Sequence, residues 1–352
     1  MALLQKNSGT RSGPARPPQV IVITGATAGV GRAVALRFAK TGARLGLISR
    51  DAEALAALAQ ELTDLGATAA TEALDVSDAE AVKRAAERFE HELGPIDVWI
   101  NDAMLTVFSP ISEMTPEEFR RVTEVTYLGF VHGVMAALAL MRKRGSGHII
   151  NIGSALAYRG IPLQSAYCGA KHAIRGFTGS LRSELEHDGS AIKVSILELP
   201  AMNTPQFDWA RTHMPRPPRP MGKIYQPEVA AQAVYRAVQT GAREYWVGLS
   251  TLLTIVGNMI APEFLDWYLA RTAVEGQERK RPINPNRKDN LFAPITKLHR
   301  THGAFDAQAS DTALTVSGMG ARAVIVGAGA LVFFLIGALS AGSAKPRREI
   351  LG

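Results

Sequence analysis

Residues 20–40, VIVITGATAGVGRAVALRFAK, join an apolar run, a glycine-rich turn and a segment with helical spacing. The first run is short and rich in β-branched residues, which favours a buried strand. Gly25, Gly29 and Gly31 permit a tight turn and a close approach of backbone to a ligand, and the N–H groups that open a helix bind phosphate charge. The stretch predicts a strand, a pyrophosphate-binding turn and a helix, although glycine in such turns also serves packing alone.

The same alternation of apolar runs and helical segments continues along the chain. Alternation of this kind predicts βαβ units and a parallel sheet buried on both faces. The predicted fold class is α/β, a Rossmann-like doubly wound parallel sheet sandwiched by helices. Further predicted strands are RLGLIS at 44–49, ATEALDV at 70–76, IDVWI at 96–100, HIINIGS at 148–154 and AIKVSILEL at 191–199.

Composition excludes several classes of protein. Cys168 is the single cysteine among 352 residues, so an intrachain disulfide and a cysteine cluster for zinc or iron–sulfur ligation are excluded. His132, His148 and His172 have no second ligand at metal spacing, and no metal is expected. The formal charge of +7 is concentrated at the two chain ends and in a basic run at 279–300, which argues against a nucleic-acid-binding face and suits a membrane surface.

Composition also divides the chain. Residues 214–222, MPRPPRPMG, interrupt the α/β pattern and lie in a predicted lid. We predict a disordered basic arm at 1–18, a catalytic domain at 19–250 with its lid at 204–226, a helical and partly disordered connector at 251–322, a transmembrane helix at 323–344 and a basic tail at 345–352.

The segment 323–344, AVIVGAGALVFFLIGALSAGSA, contains 22 residues without a charge. A helix of that length reaches about 33 Å, enough for a hydrocarbon core of roughly 30 Å. The first 18 residues lack the apolar region of an export signal, so we expect a single-pass C-terminal anchor with the catalytic domain in the cytoplasm. A buried C-terminal helix is one alternative. The positive charges of Lys345, Arg347 and Arg348 follow the segment and favour keeping that end in the cytoplasm, so a re-entrant or peripheral helix is the other alternative.

The second predicted strand ends at Ser49-Arg50. A small residue followed by arginine leaves room for the 2′-phosphate of NADP and supplies a bidentate donor, whereas a carboxylate would bind the ribose hydroxyls of NAD. NADP(H) is therefore the predicted cofactor, and a solvated arginine is the alternative.

Three residues farther on combine into a proton-transfer site. Tyr167 and Lys171 are four apart on one predicted helix and so share a face, and Ser154 follows a strand end at the same edge of the sheet. A neighbouring ammonium is expected to lower the pKa of the Tyr167 phenol.

With these residues the chain resembles a short-chain dehydrogenase/reductase over roughly residues 19–250. The resemblance rests on TGATAGVG at 24–31, Asp75-Val76, Asn101-Asp102-Ala103, Ser154 and YCGAK at 167–171. It implies that Tyr167 is the general acid or base, that Lys171 holds the nicotinamide ribose, and that Ser154 binds the substrate oxygen. The cofactor contacts it implies are Gly25, Thr27, Gly29, Val30, Gly31, Arg50, Asp75, Val76, Asn101, Ala103, Tyr167, Lys171 and Thr204.

Three positions depart from the family pattern. Met104 stands where a glycine is usual, and Thr126 stands where an asparagine usually helps to hold a proton-relay water. The segment at 200–204, which carries Thr204 as the implied contact to the nicotinamide carboxamide, is one residue shorter than usual. We expect a modified relay in an active enzyme.

The predicted function is an NADP(H)-dependent oxidoreductase acting on a secondary alcohol or its ketone. Phe207, Trp209, Met214 and Met221 in the lid favour a lipophilic substrate, although such residues are also ordinary lid packing. A nucleotide-binding sensor or scaffold of weak activity, or an epimerase or dehydratase of the same fold, is the alternative. The apolar face at 131–141 is compatible with a homodimer or homotetramer.

Overall fold

The structure is a computed structural model and describes residues 19–324, 326 and 327. The predicted arm at 1–18, the basic tail at 345–352 and nearly all of the predicted transmembrane helix at 323–344 lie outside the described residues.

Thirteen strands are present in the described part of the chain. In chain order they are β1 (Val20–Thr24), β2 (Arg44–Ser49), β3 (Thr68–Ala73), β4 (Val98–Asn101), β5 (Val107–Phe108), β6 (His148–Ile152), β7 (Lys193–Glu198), β8 (Ala201–Met202), β9 (Arg211–Thr212), β10 (Ile224–Tyr225), β11 (Glu244–Val247), β12 (Ala309–Ser310) and β13 (Thr315–Ser317).

The α-helices alternate with the main strands, as their spacing in the sequence predicts. They are α1 (Gly29–Ala39), α2 (Ala52–Asp64), α3 (Ala79–Leu93), α4 (Pro116–Thr123), α5 (Gly129–Arg144), α6 (Ser165–His187), α7 (Gln206–Trp209), α8 (Pro227–Thr240), α9 (Leu249–Ile260) and α10 (Pro262–Gly276). A π-helical turn, Glu124–Leu128, joins α4 to α5, and residues 318–324 are helical.

The main sheet has eight strands in the order β13-β11-β7-β6-β4-β1-β2-β3. All pairings are parallel except that of β11 with β13. Apolar side chains of α1, α2 and α8 bury one face of the sheet, and those of α3, α5 and α6 bury the other. The predicted doubly wound α/β fold is confirmed.

One described helical run, Pro116–Arg144, is long and apolar enough to cross a membrane by length and composition alone. Half of its most apolar window is buried, and its α5 portion packs against α3 and β4. The apolarity of this run is therefore explained by its position in the sandwich.

Residues 277–305, which we call the strap, lie within the predicted connector and follow α10 mainly as coil and turns. Leu291 is fully buried, and Arg279 pairs with Asp208 of α7 at 2.7 Å. Beyond the strap, β12 pairs with β10, and β13 closes the edge of the main sheet. The chain after α10 thus returns across the α/β domain.

Candidate active site

The glycine-rich turn lies between β1 and α1 at the carboxyl edge of the sheet. Gly25 and Gly29 have φ angles of +73° and +57°, a region that L side chains rarely adopt. A Cβ atom at Gly25 would approach the backbone of Ala103 to 2.8 Å, and one at Gly29 would approach the side chain of Thr204 to 2.9 Å. The turn therefore requires glycine both for its conformation and for close packing.

Among the described residues, one backbone N–H at the N-terminus of α1 has no acceptor. The Gly29 N–H donates to the Arg300 carbonyl of the strap at 3.0 Å, and the Gly31 N–H interacts with the carboxylate of Asp102. The N–H of Val30 has no acceptor among the described residues. An anion at this helix N-terminus would therefore be bound by Val30 first.

A cleft of about 520 Å³ opens beside this turn, along the carboxyl ends of the central strands. Most of the residues predicted for the site line it together: Gly25, Thr27, Gly29, Val30, Arg50, Asp75, Val76, Ala103, Ser154, Tyr167, Lys171 and Thr204.

Two predicted cofactor contacts lie outside the cleft. Gly31 packs against the Gly25 carbonyl, which a Cβ atom at Gly31 would meet at 2.3 Å. Asn101 is fully buried in β4, where it accepts a hydrogen bond from Trp99 at 2.8 Å and donates one to Asn151 at 2.9 Å. Gly31 therefore supports the cleft by packing behind its lining residue Gly25, and Asn101 supports it through hydrogen bonds in the core.

Ser154, Tyr167 and Lys171 meet in the cleft. Ser154 follows β6, and its backbone N–H donates to the Glu198 carboxylate at 2.7 Å. Lys171 is almost fully buried, and its Nζ donates to the Ile152 carbonyl at 2.7 Å and lies 5.6 Å from the centre of the Tyr167 ring. The i,i+4 spacing on α6 thus places the phenol and the ammonium on the face that looks towards β6.

The electrostatics of this trio differ from the expectation. Burial raises the pKa of the Tyr167 hydroxyl, and interaction with Ser154 opposes that rise only in part. Burial lowers the pKa of Lys171, although the nearby carboxylates of Asp102 and Glu198 act to raise it. The predicted depression of the Tyr167 pKa is thus absent from this structure, because desolvation raises that pKa and the nearby carboxylates of Asp102 and Glu198 raise it further.

Glu198 is a buried acid that the sequence analysis missed. It lies beneath Ser154 at the end of β7, and one of its two carboxylate oxygens has no hydrogen-bond partner among the described residues. Burial, with the nearby carboxylate of Glu244, raises its pKa to about 8. An acid inside an apolar strand is a visible signal in the sequence, but only the fold places it under Ser154.

Thr126 lies in the π-helical turn, and its hydroxyl makes two hydrogen bonds with the backbone of Leu105. It accepts from the Leu105 N–H at 2.9 Å and donates to the Leu105 carbonyl at 2.8 Å. Thr126 therefore does not substitute for a relay asparagine. Met104 lines the cleft, as its position in the family pattern predicts.

Arg50 lies at the edge of the cleft, where the strap crosses it. Its guanidinium donates to the carbonyls of Asn290 at 2.6 Å and Leu291 at 3.4 Å, and lies 4.0 Å from Asp75. Burial alone would raise the pKa of Asp75, but hydrogen bonds from Arg121 and Ser77 lower it. Arg50 is thus partly neutralised by Asp75 and retains donors beside the cleft.

The strap contributes cleft residues that no pattern in the sequence predicts. Asn290, Pro294, Ile295 and His299 line the cleft, and His299 lies 3.2 Å from the Asp51 carboxylate at the start of α2. The coil has no periodicity and no motif, so no local signal identified these residues.

Of the four apolar lid residues, Met214 packs inside the lid with Phe108 and Ile224. Trp209 and Met221 line the cleft. Phe207 lines the cleft and also packs in the apolar cluster that contains Met214. Part of the apolar lid is therefore internal packing, and part of it faces the space left for a ligand.

Comparison with known proteins gives consistent results. The sequence model of a family described as short chain dehydrogenase matches residues 19–214. The chain is 31% identical over 283 residues to an uncharacterized oxidoreductase, YxnA, of Bacillus subtilis, covering 80% of each chain. It is 32% identical to dehydrogenase/reductase SDR family member 7B of Xenopus tropicalis, covering 77% of this chain and 90% of that one.

Two similar solved structures are complexes with NADP or 5-hydroxy-NADP. A metagenomic short-chain oxidoreductase in complex with NADP is 28% identical with a TM-score of 0.54, covering 63% of this chain and 92% of that one. An alcohol dehydrogenase from the archaeon Thermococcus sibiricus, complexed with 5-hydroxy-NADP, is 26% identical with a TM-score of 0.55, covering 65% and 95%.

Proposed function

Because the chain belongs to the short-chain dehydrogenase/reductase family, we propose that it is an NADP(H)-dependent oxidoreductase that interconverts a secondary alcohol and its ketone. The observation that carries the proposal is the meeting of Ser154, Tyr167 and Lys171 in one cleft beside the glycine-rich turn. Two hydroxyls and a buried ammonium at one point are a suitable set for moving a proton to or from a substrate oxygen.

The residues around the turn fit a dinucleotide. Gly25, Gly29 and Val30 line the cleft beside the turn, and the Val30 N–H, at a helix N-terminus, has no acceptor among the described residues and can bind a pyrophosphate. Arg50 at the end of β2 supplies a cation where the 2′-phosphate of NADP would lie. NADP(H), when bound, supplies the hydride chemistry.

The chain's own residues supply the proton transfer and the geometry. In ketone reduction, Tyr167 Oη donates its proton to the carbonyl oxygen while Ser154 Oγ donates a hydrogen bond to the same oxygen. In alcohol oxidation the Tyr167 phenolate accepts the hydroxyl proton. Lys171 stabilises that phenolate, and Glu198 fixes the backbone of Ser154.

We infer a lipophilic substrate from the lining of the cleft opposite the trio. Trp209 and Met221 of the lid and Leu265 and Leu269 of α10 face the same space. Apolar walls with a few convergent polar groups favour burial of an apolar ligand.

Substitution of Tyr167 by Phe tests the enzyme assignment. We expect turnover of lipophilic alcohols with NADP to fall by about 10²–10⁴-fold, because the hydroxyl is needed for proton transfer. NADPH affinity should remain near that of the wild type, since the turn and Arg50 are unchanged. Near wild-type kcat in this variant, or NADPH binding without any turnover by the wild type, would contradict the proposal.

We also propose that residues 323–344 anchor the protein in a membrane with the catalytic domain in the cytoplasm. The segment carries no charge over 22 residues, and Val324 near its start is 72% exposed in the structure. The test is a carbonate wash of membranes that contain the full chain or its Phe334→Arg/Leu335→Arg variant. The wild type should stay with the membranes, and the variant should be released; wild-type protein in the wash would refute the anchor.

We further propose self-association through α5. Its predicted face at 131–141 leaves Met135 exposed among mostly buried neighbours. Light scattering of the purified protein should give the mass of a dimer or tetramer, and Met135→Glu should lower it; a monomeric wild type would contradict this interface.

A further inference from the structure

The outer faces of α9 and α10 form an exposed apolar surface, which we call the platform. α9 contains no charged residue, and its inner side buries Thr251 and Ile255 in the domain. Its outer side is open to solvent, and Ile260 is 75% exposed. The exposed apolar residues of the two helices are Leu249, Leu253, Met259, Ile260, Phe264, Trp267, Tyr268 and Val274.

The platform has the composition of a membrane–water interface. The Phe264 ring stacks on Trp267 at 5.8 Å and on Tyr268 at 6.3 Å between ring centres, and the Arg271 guanidinium lies 4.4 Å from the Trp267 ring centre. Tryptophan, tyrosine and arginine at the rim of an apolar face are typical of a helix lying at headgroup level. Isolated exposed apolar residues are common, but a contiguous set on two adjoining helices indicates an interaction surface.

The helix that leads into the apolar segment starts beside the platform. Ala321 of the helical residues 318–324 packs with Ile255 of α9 and with Trp246 of β11. Met319 and Val324 of the same helix are exposed. The 22 charge-free residues at 323–344 therefore begin next to α9, so a bilayer that receives them would lie close to the platform.

The same two helices border the cleft. Thr254 of α9 and Leu265 and Leu269 of α10 line it from within. Tyr268 lines the cleft and is also part of the exposed stack. The mouth of the cleft and the platform thus share an edge.

We propose that the platform rests in the interfacial layer of a lipid bilayer, so that the cleft receives its lipophilic substrate from the membrane and not from water. The substrate route rests on the proposed function, whereas the docking of the platform stands on its exposed residues. A bilayer suits this surface better than a second subunit, because the charge-free segment 323–344 starts at its border. α10 also carries Glu263, Asp266 and Glu275, so a zwitterionic bilayer is the expected partner.

Tryptophan fluorescence can test the docking directly in the full-length protein. The protein is reconstituted into phosphatidylcholine vesicles and into matched vesicles whose phosphatidylcholine is brominated on the upper half of its acyl chains. Trp99 and Trp246 are buried, whereas Trp267 is 52% exposed on the platform. The apolar segment 323–344 contains no tryptophan. We expect brominated lipid to quench the wild-type emission and Trp267→Phe to lose most of that quenching.

Trp209→Phe is the matched control, because it also removes one tryptophan but from the cleft side of the lid. It should retain the quenching, and far-UV circular dichroism and thermal melts like those of the wild type would show that both variants are folded. Docking of the platform would be refuted if Trp267→Phe and the wild type were quenched equally. It would also be refuted if neither were quenched while the protein remained in the vesicles. Both results would be compatible with the membrane anchor at 323–344. If the Phe264→Ser/Trp267→Ser variant had half the particle mass of the wild type in detergent, docking on a bilayer would also be refuted, because the platform would then be a subunit interface.

Discussion

Replacement of Arg50 by Ala should lower NADPH affinity much more than NADH affinity. In the structure the guanidinium lies beside the cleft at the end of β2, 20% exposed, with one side turned to strap carbonyls. A charge-assisted hydrogen bond is worth about 1.5–3 kcal/mol, and about 1.4 kcal/mol corresponds to tenfold in affinity. Loss of one such bond to the 2′-phosphate should therefore weaken NADPH binding by roughly 10- to 150-fold.

The contacts of Arg50 with the strap make a second contribution that both cofactors share. The hydrogen bond to the Asn290 carbonyl, at 2.6 Å, helps to hold the strap over the cleft. Its loss should cost about 1 kcal/mol, or roughly fivefold, for NADPH and NADH alike. The ratio of the two affinities therefore isolates the role of the 2′-phosphate from the role of the strap.

Isothermal titration of both cofactors into the wild type, Arg50→Ala and Arg88→Ala provides the measurement. Arg88 is an exposed arginine that pairs with Glu72 and Glu92 away from the cleft, so its variant controls for loss of a positive charge. The wild type should prefer NADPH, Arg88→Ala should keep that preference, and Arg50→Ala should lose most of it. An equal loss for NADPH and NADH in Arg50→Ala would assign Arg50 to the strap alone and refute its role in cofactor choice.

Three further outcomes follow from the geometry. Ser154→Ala should lower kcat by about 10²–10³-fold with NADPH affinity unchanged, as for loss of one oxyanion donor; an unchanged kcat would contradict its contact with the substrate oxygen. Because the pKa of Glu198 is raised from 4.5 to about 8 by burial, the folded state holds an extra proton between those values. Stability should therefore fall as pH rises from about 4.5 to about 8, and Glu198→Gln should flatten that fall in thermal melts; parallel melting curves would contradict the shift. Gly25→Ala should destabilise more than Gly42→Ala in urea unfolding, since both have φ near +70° but only Gly25 faces backbone within 3 Å; equal losses would show that backbone strain alone matters.

The sequence determined the elements that depend on local spacing. Alternating apolar runs and helical segments indicated the parallel sheet, because a strand buried on both faces and an amphipathic helix each have their own periodicity. The glycine pattern at 25–31 located the turn between β1 and α1. The four-residue interval between Tyr167 and Lys171 placed them on one helix face, and the strand end at Ser154 brought the hydroxyl to the same edge.

The tertiary structure decided what depends on contacts between distant parts of the chain. The strap has no periodicity, so its contacts with Arg50 and Asp51 could not be inferred from the sequence. Asn101 belongs to the family motif, but its amide bonds in the core decide that it supports the cleft and does not line it. The pKa of Tyr167 is raised because desolvation sums over all neighbours, whereas a motif shows only the nearest charge. Sequence spacing fixes which residues share an element, and only the packed chain fixes which surfaces are buried, which donors are occupied and which apolar faces remain exposed.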